Sequence, residues 1–328
     1  MKMHSRRFVA RLSALLVTAT LAMPAISADQ AMRIALIFQG SAASVAFAET
    51  AFWSRLRELG WVDGKNVLAA KRYADGDLNR LPALIADVLS VRPDVLVAAG
   101  NRGALAATKA TKTIPIVGAM SDAVGAGLVT SLVQPGGNLT GVSISNADDI
   151  PTKLVELVHE TIPELSVFAA IVNPDNPISE KTLGHISQSA AALGLRHLVL
   201  RARRAEDYPA AVKEARHRAQ AAIITDDAVS SHNRELIAQL AEKHRLPTFA
   251  WASEFVSAGV LMAYGADEKV TWRVVAEYVD KVLRGANPAE LPIQQPIEYR
   301  LSINLRTAKA LGITIPESIL LRADEVIR

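Results

Sequence analysis

The 328-residue chain contains no cysteine, and only 5% of it is aromatic. Such a sequence can build no disulfide, no thiolate metal site and no lipidated amino-terminal cysteine, so its stability must come from apolar burial. Long apolar runs are missing as well. The most apolar stretch, Leu12 to Met23, spans 12 residues, well short of the roughly 20 a helix needs to cross a hydrocarbon core. Signatures of catalysis are also wanting. No Gly-x-Ser-x-Gly elbow occurs, Gly125-Ala126-Gly127 lacks the third glycine of a dinucleotide loop, and no phosphate-binding Lys-Ser or Lys-Thr loop follows a predicted strand. The seven histidines, at 4, 159, 185, 197, 217, 232 and 244, show no metal-ligand spacing. No metal or organic cofactor is expected, and the chain reads as a non-enzyme. An exported α/β enzyme stands as an alternative only if its catalytic groups are assembled from distant loops.

What is present begins with a leader. Lys2, Arg6, Arg7 and Arg11 precede the apolar run, and small residues follow from Ala25 to Ala28, which is the layout of a signal peptide over residues 1–28 with a mature start near Asp29. Ser5-Arg6-Arg7 hints at twin-arginine export, but the flanking Val9-Ala10 favours the Sec route. The leader holds four of the 36 basic side chains and none of the 33 acidic ones, leaving 32 basic against 33 acidic residues, a net of −1. A nucleic-acid partner therefore loses its electrostatic motive. No helix-turn-helix segment precedes the first strand either.

Beyond the leader, short apolar or β-branched runs alternate with amphipathic stretches, the pattern of a parallel sheet wound by helices. Five runs, Arg33 to Phe38, Val67 to Arg72, Val95 to Ala99, Ile116 to Gly118 and Leu139 to Val142, form one α/β unit, with helices expected at Val45 to Leu59, Leu78 to Val91 and Ala104 to Thr111. Five more, Val167 to Val172, His197 to Arg201, Ala222 to Thr225, Pro247 to Ala250 and Val260 to Tyr264, form a second, with helices at Ile178 to Leu193 and Arg234 to His244. A helix from Glu268 to Arg284, a Pro-rich stretch from Asn287 to Pro296, a strand from Tyr299 to Ile303 and a helix including Thr307 to Leu311 remain. Such a tail predicts a return between lobes. Crossings are expected near Ser143 to Ile150, Trp251 to Ser257 and Gln294 to Ile297, dividing the chain into residues 29–145 plus 256–294 and residues 146–255 plus 295–328. The fold class is α/β, two doubly wound parallel-sheet lobes joined by a three-crossing hinge, and such hinges close on ligands.

Four segments stand out: Leu59-Gly60-Trp61-Val62-Asp63-Gly64-Lys65-Asn66, Ser121-Asp122-Ala123-Val124-Gly125-Ala126-Gly127-Leu128-Val129, Gln134-Pro135-Gly136-Gly137-Asn138-Leu139-Thr140-Gly141-Val142-Ser143 and Glu254-Phe255-Val256-Ser257-Ala258-Gly259-Val260-Leu261-Met262-Ala263-Tyr264-Gly265. Together they resemble the substrate-binding proteins of ABC importers, in the group with tryptophan- and tyrosine-binding members. The resemblance covers essentially the whole mature chain. It implies the type I periplasmic-binding architecture, a periplasmic location, a small-molecule ligand such as an amino acid or related compound, an ABC permease as partner and monomeric action. A ligand-sensing subunit for a membrane receptor would share all of these features except the permease. Ala123 and the Asn101-Arg102 turn depart from the family pattern in loops expected to face the cleft, which leaves the ligand open.

Candidate ligand contacts follow from the rule that open α/β sheets bind at the carboxyl ends of their strands, where helix amino ends offer free N–H groups. The first lobe supplies Gln39, Ser41, Asn101, Ser121 and Asp122, and the second Asn173, Asp227, Trp251 and Glu254, with Ser145 near the hinge. Asp227 is the expected partner of a ligand amine and Trp251 the expected platform for an apolar portion. Asp122 and Asp227 also stand where helices begin, so N-capping competes with a ligand role for both.

Overall fold

The computed structural model describes residues 31–144, 149–295 and 299–328; the leader lies outside them. The first lobe runs β1 (Met32–Phe38), α1 (Ala46–Glu58), β2 (Val67–Tyr73), α2 (Leu81–Ser90), β3 (Val95–Ala99), α3 (Gly100–Ala110), β4 (Ile116–Met120) and β5 (Leu139–Ser143). Its strands are all parallel in the order β2-β1-β3-β4-β5. Parallel sheets carry helices on both faces, which is why β1 is apolar without a break from Ile34 to Phe38 instead of alternating with polar residues. Period two still sorts its side chains: Ile34, Leu36 and Phe38 join one core, and Ala35 and Ile37 another. Gly141 is required where β5 passes β4, because its φ is +130° and a Cβ there would lie 2.2 Å from the Gly118 carbonyl oxygen.

The second lobe continues with α4 (Asp149–Thr161), β6 (Val167–Val172), α5 (Ser179–Ala192), β7 (Arg196–Arg201), α6 (Tyr208–Arg218), β8 (Ala221–Ile224), α7 (Ala228–His232), α8 (Arg234–Lys243), β9 (Thr248–Ala250), α9 (Ser253–Ala258) and β10 (Met262–Ala266). The chain then enters α10 (Glu268–Leu283) and ends with β11 (Tyr299–Asn304), α11 (Leu305–Leu311), α12 (Glu317–Leu320) and β12 (Glu325–Ile327). The second sheet has the order β12-β11-β10-β9-β8-β6-β7, with β11 antiparallel to β10. Both sheets agree with the expected doubly wound α/β lobes. The short edge strand β12, three residues parallel to β11, was not anticipated, since a run of that length carries no readable period.

One expectation needs correction. The crossing placed at Trp251 to Ser257 falls instead between β10 and α10, because β10 is hydrogen-bonded to β9 on one side and to β11 on the other. α9 and β10 thus belong to the second lobe, and the chain returns to the first lobe with α10. That return is driven by burial. Trp272, Val275, Val279 and Val282 pack with Phe52 and Leu56 of α1, and each such side chain removed from water stabilises the fold by about 1.5–3 kcal/mol. Trp61 Nε1 donates to Asp280 at 2.7 Å, and Arg273 holds Glu58 through two nitrogens at 3.0 and 2.8 Å. The helix starts where it does because the Asp267 side chain accepts from the N–H groups of Lys269 and Val270.

The first and third expected crossings include residues 145–148 and 296–298, which lie outside the described residues. On the described side of each, Gln294 pairs with β5: its N–H donates to the Gly141 carbonyl at 3.0 Å and its carbonyl accepts from Ser143 at 2.8 Å. The segment leaving the first lobe by α10 therefore runs beside the strand that leaves it first.

Candidate functional site

The carboxyl ends of β1, β3 and β4 face those of β8 and β9 across the gap between the lobes, and a cavity of about 110 Å³ lies between them. Phe38, Phe47, Trp251 and Trp272 provide its apolar walls, and Gln39, Ser121, Ser231, Asp226 and Glu268 its polar groups. An apolar chamber with a few convergent polar side chains is the usual form of a small-molecule site.

Polar contacts draw the lobes together around this chamber. The Ser41 N–H donates to His232 Nδ1 at 3.3 Å, and Ser44 Oγ lies 3.3 Å from the same nitrogen. Arg234 reaches the Ser44 carbonyl at 3.2 Å, and Lys181 Nζ meets Asp122 at 2.8 Å. The two lobes are thus in direct polar contact beside the chamber. Because His232 Nδ1 accepts a backbone N–H, its proton sits on Nε2. Burial and the nearby Arg234 charge lower its pKa, while Asp75 and Glu235 act the other way. A histidine whose pKa is lowered by this packing favours the contact fully above the ordinary value of about 6.5 and loses that contribution as the pH falls below it. The contact between the lobes is therefore expected to weaken between pH 7.5 and 5.5, and thermal unfolding across that range should show a shallower pH dependence for His232→Gln. Identical pH profiles for the two proteins would remove His232 from that contact.

The predicted residues divide into those at the cavity wall and those behind it. Gln39, Ser121 and Trp251 line the cavity. Gln39 is oriented by its amide N–H, which donates to the Ala99 carbonyl at 2.7 Å. Asn101 stands behind Ser121, donating to its carbonyl and accepting from its N–H, each at 2.8 Å, and so sets the turn after β4. Asp122, at a φ of +42°, forms the inter-lobe ion pair, and Ser41 the contact to His232. Asn173 and Asp227 are bonded to each other at 3.0 Å, and Asp227 also accepts from the Val229 N–H as N-cap of α7. Burial raises the pKa of Asp227, and its carboxylate is occupied by these two donors, so its neighbour Asp226 is the one that reaches the wall. Glu254 lies away from the cavity lining, in a groove with Arg234 and Asp267. Ser145 falls outside the described residues.

Sequence reasoning missed Glu268, Trp272, Phe47 and His232. The strand-end rule applied to β10 would have reached Asp267-Glu268, but the crossing had been placed before that strand and not after it. Trp272 looked like an ordinary core position of a long amphipathic helix, which it also is. Among the described residues, no cluster of histidine, aspartate or glutamate is arranged to hold a metal ion, and no helix is long and apolar enough to cross a membrane.

Two α/β lobes that meet around a small chamber at their strand ends have the form of a solute-binding protein. The particular family is the ABC transporter substrate binding proteins, whose sequence model matches residues 34–327, and the chain belongs to it. It is 26% identical over 267 residues, 81% of this chain and 76% of the relative, to the tyrosine-binding protein of Clostridioides difficile. Among solved structures, a conserved domain protein of Vibrio cholerae superposes with a TM-score of 0.84 at 28% identity, covering 90% of this chain and 99% of the other. An ABC domain from Streptococcus pneumoniae in complex with L-Trp also gives 0.84, at 24% identity, over 90% of this chain and 100% of the other.

Proposed function

We propose that this chain is the extracytoplasmic solute-binding component of an ABC importer, exported by its leader to the periplasm, where it works as a monomer. Its lobes open, capture an amino acid or a related small molecule and close by rotation about the three connections; the closed form docks to the permease. The carrying observation is the chamber at the strand ends, walled by side chains of both lobes and bridged by Lys181–Asp122 and Arg234–Ser44. A solute held there touches both lobes at once, so its binding energy is available to hold them together. Size supports a compact solute. A cavity able to hold benzene measures about 150 Å³, so one of about 110 Å³ takes a small amino acid directly and an aromatic one only with the lobes set further apart.

Mass spectrometry of solutes released from the purified mature protein tests this reading, followed by thermal unfolding with amino acids, short peptides and organic acids. A solute at a hundredfold excess over its Kd stabilises the folded state by about 2.7 kcal/mol, so the shift should be plain. The same solute should be recovered unchanged and should reduce the radius of gyration in small-angle scattering. Unchanged scattering at saturation would exclude closure by lobe rotation, and steady turnover of the solute would exclude a pure binding role.

A further inference from the structure

Glu268 is the first residue of α10, at the point where the chain leaves the second sheet for the first lobe. Its side chain lines the cavity, the residue is only 8% exposed, and no donor from the described residues bonds its carboxyl group. A buried carboxyl group without a partner is costly, and native proteins seldom leave one so. Its neighbours make matters worse. Glu254 from α9, Asp226 from the loop after β8 and the adjoining Asp267 all repel its charge, and Arg234 from α8 alone offsets them. Arg234 itself is engaged with the Ser44 carbonyl and Glu235, and Arg300 is paired with Asp267. Asp226 reaches the same cavity, and among the described residues no lysine or arginine lines it.

We propose that Glu268 seats a protonated amine of the solute, so that the transported class is small amines and amino acids with a compact apolar body, and not organic acids lacking a basic nitrogen. The ammonium supplies both the donors and the positive charge that this corner of the chamber lacks. Phe38, Trp251 and Trp272 then enclose the apolar part. Because Glu268 stands on the connection between the lobes, the pair forms at the hinge itself. Without solute, burial first and the Glu254 and Asp226 charges next hold the Glu268 pKa well above the usual carboxylate range. This inference rests on the solute-binding reading.

The test uses two series measured by calorimetry on the mature protein: L-valine, isobutylamine and isovalerate, and L-tyrosine, tyramine and 3-(4-hydroxyphenyl)propionate. Within each series the members keep both charged groups, the amine alone or the carboxylate alone. Binding is expected only from members that retain the amine. Glu268→Gln, a neutral isostere in a buried site, should fold and should weaken those members by about 10- to 100-fold, removing the preference for the amine. If the carboxylate-only member binds as well as its amino parent, or if Glu268→Gln leaves amine affinity unchanged, the assignment fails. A co-purified solute with no basic nitrogen, or no binding by any amine-bearing member, also overturns it. A co-purified solute without a basic nitrogen leaves the solute-binding reading intact, whereas that reading itself falls if no solute co-purifies and none of the wider library shifts the unfolding temperature.

Discussion

Trp272→Ala is expected to lower the unfolding free energy by about 3–5 kcal/mol, the range for removing a large buried aromatic side chain, and the melting temperature by roughly 10 °C. The indole is 5% exposed. Its ring lies 5.3 Å from Phe38 and 6.5 Å, edge-on, from Phe52, and it borders the solute chamber. Truncation would open a void between β1, α1 and α10 that the sheet cannot collapse to fill. The loss should be felt twice, since α10 carries the chain back onto the first lobe and one wall of the chamber would go with the indole. Trp272→Phe keeps most of the volume and should retain most of the stability. Thermal unfolding of the three proteins, with solute affinity on the same samples, measures both effects. An alanine variant melting with the wild type would show that the α1–α10 contact does not hold the hinge.

Gly265→Ala is expected to be as damaging, although it adds a single methyl group. A Cβ at that position would lie 1.7 Å from the Trp251 carbonyl oxygen and 2.8 Å from its carbon. Those atoms belong to backbone leaving β9, so no rotamer change relieves the clash, and the strands must separate by more than an ångström. Overpacking of a closed core costs about 1–3 kcal/mol and more where backbone must shift. Trp251 would move with its carbonyl, and solute affinity should fall with stability. Gly184→Ala provides the contrast. That glycine sits inside α5 with nothing within 4 Å of its virtual Cβ, so alanine should raise stability by about 0.4–1 kcal/mol. Equal melting temperatures for the two variants would mean that the close approach of β10 to residue 251 is not a constraint.

Much of the fold was legible because its signals are local. Val95 to Ala99 and Val167 to Val172 are strands over the residues expected, since a short β-branched run between amphipathic helices has no other stable use in a doubly wound sheet. The helix expected from Glu268 to Arg284 runs from Glu268 to Leu283, its period being readable from neighbouring residues alone. The start of α3 was not. Helix was expected from Ala104, but it begins at Gly100, whose φ of +71° lets the chain turn straight from strand into helix. Nor was the place of β10, because an apolar strand after β9 carries no mark of which sheet it joins.

The candidate site was legible as a region and less so as a set of side chains. Strand-end reasoning located the wall at Gln39, Ser121 and Trp251. It could not separate Asp226 from Asp227, two neighbouring acids of which one faces the chamber and the other caps α7. That choice depends on which way one peptide turns.

By itself the sequence determined that the chain folds as two α/β units with a returning tail, because periods of two and 3.6, caps and turn residues are written over a few neighbours. Only the tertiary structure decided that β10 stays in the second sheet, that His232 meets Ser41 across the gap and that Glu268 is buried with no donor among the described residues. Those are consequences of residues up to about two hundred positions apart being packed side by side, and long-range contact leaves no trace in local pattern when only one sequence is read.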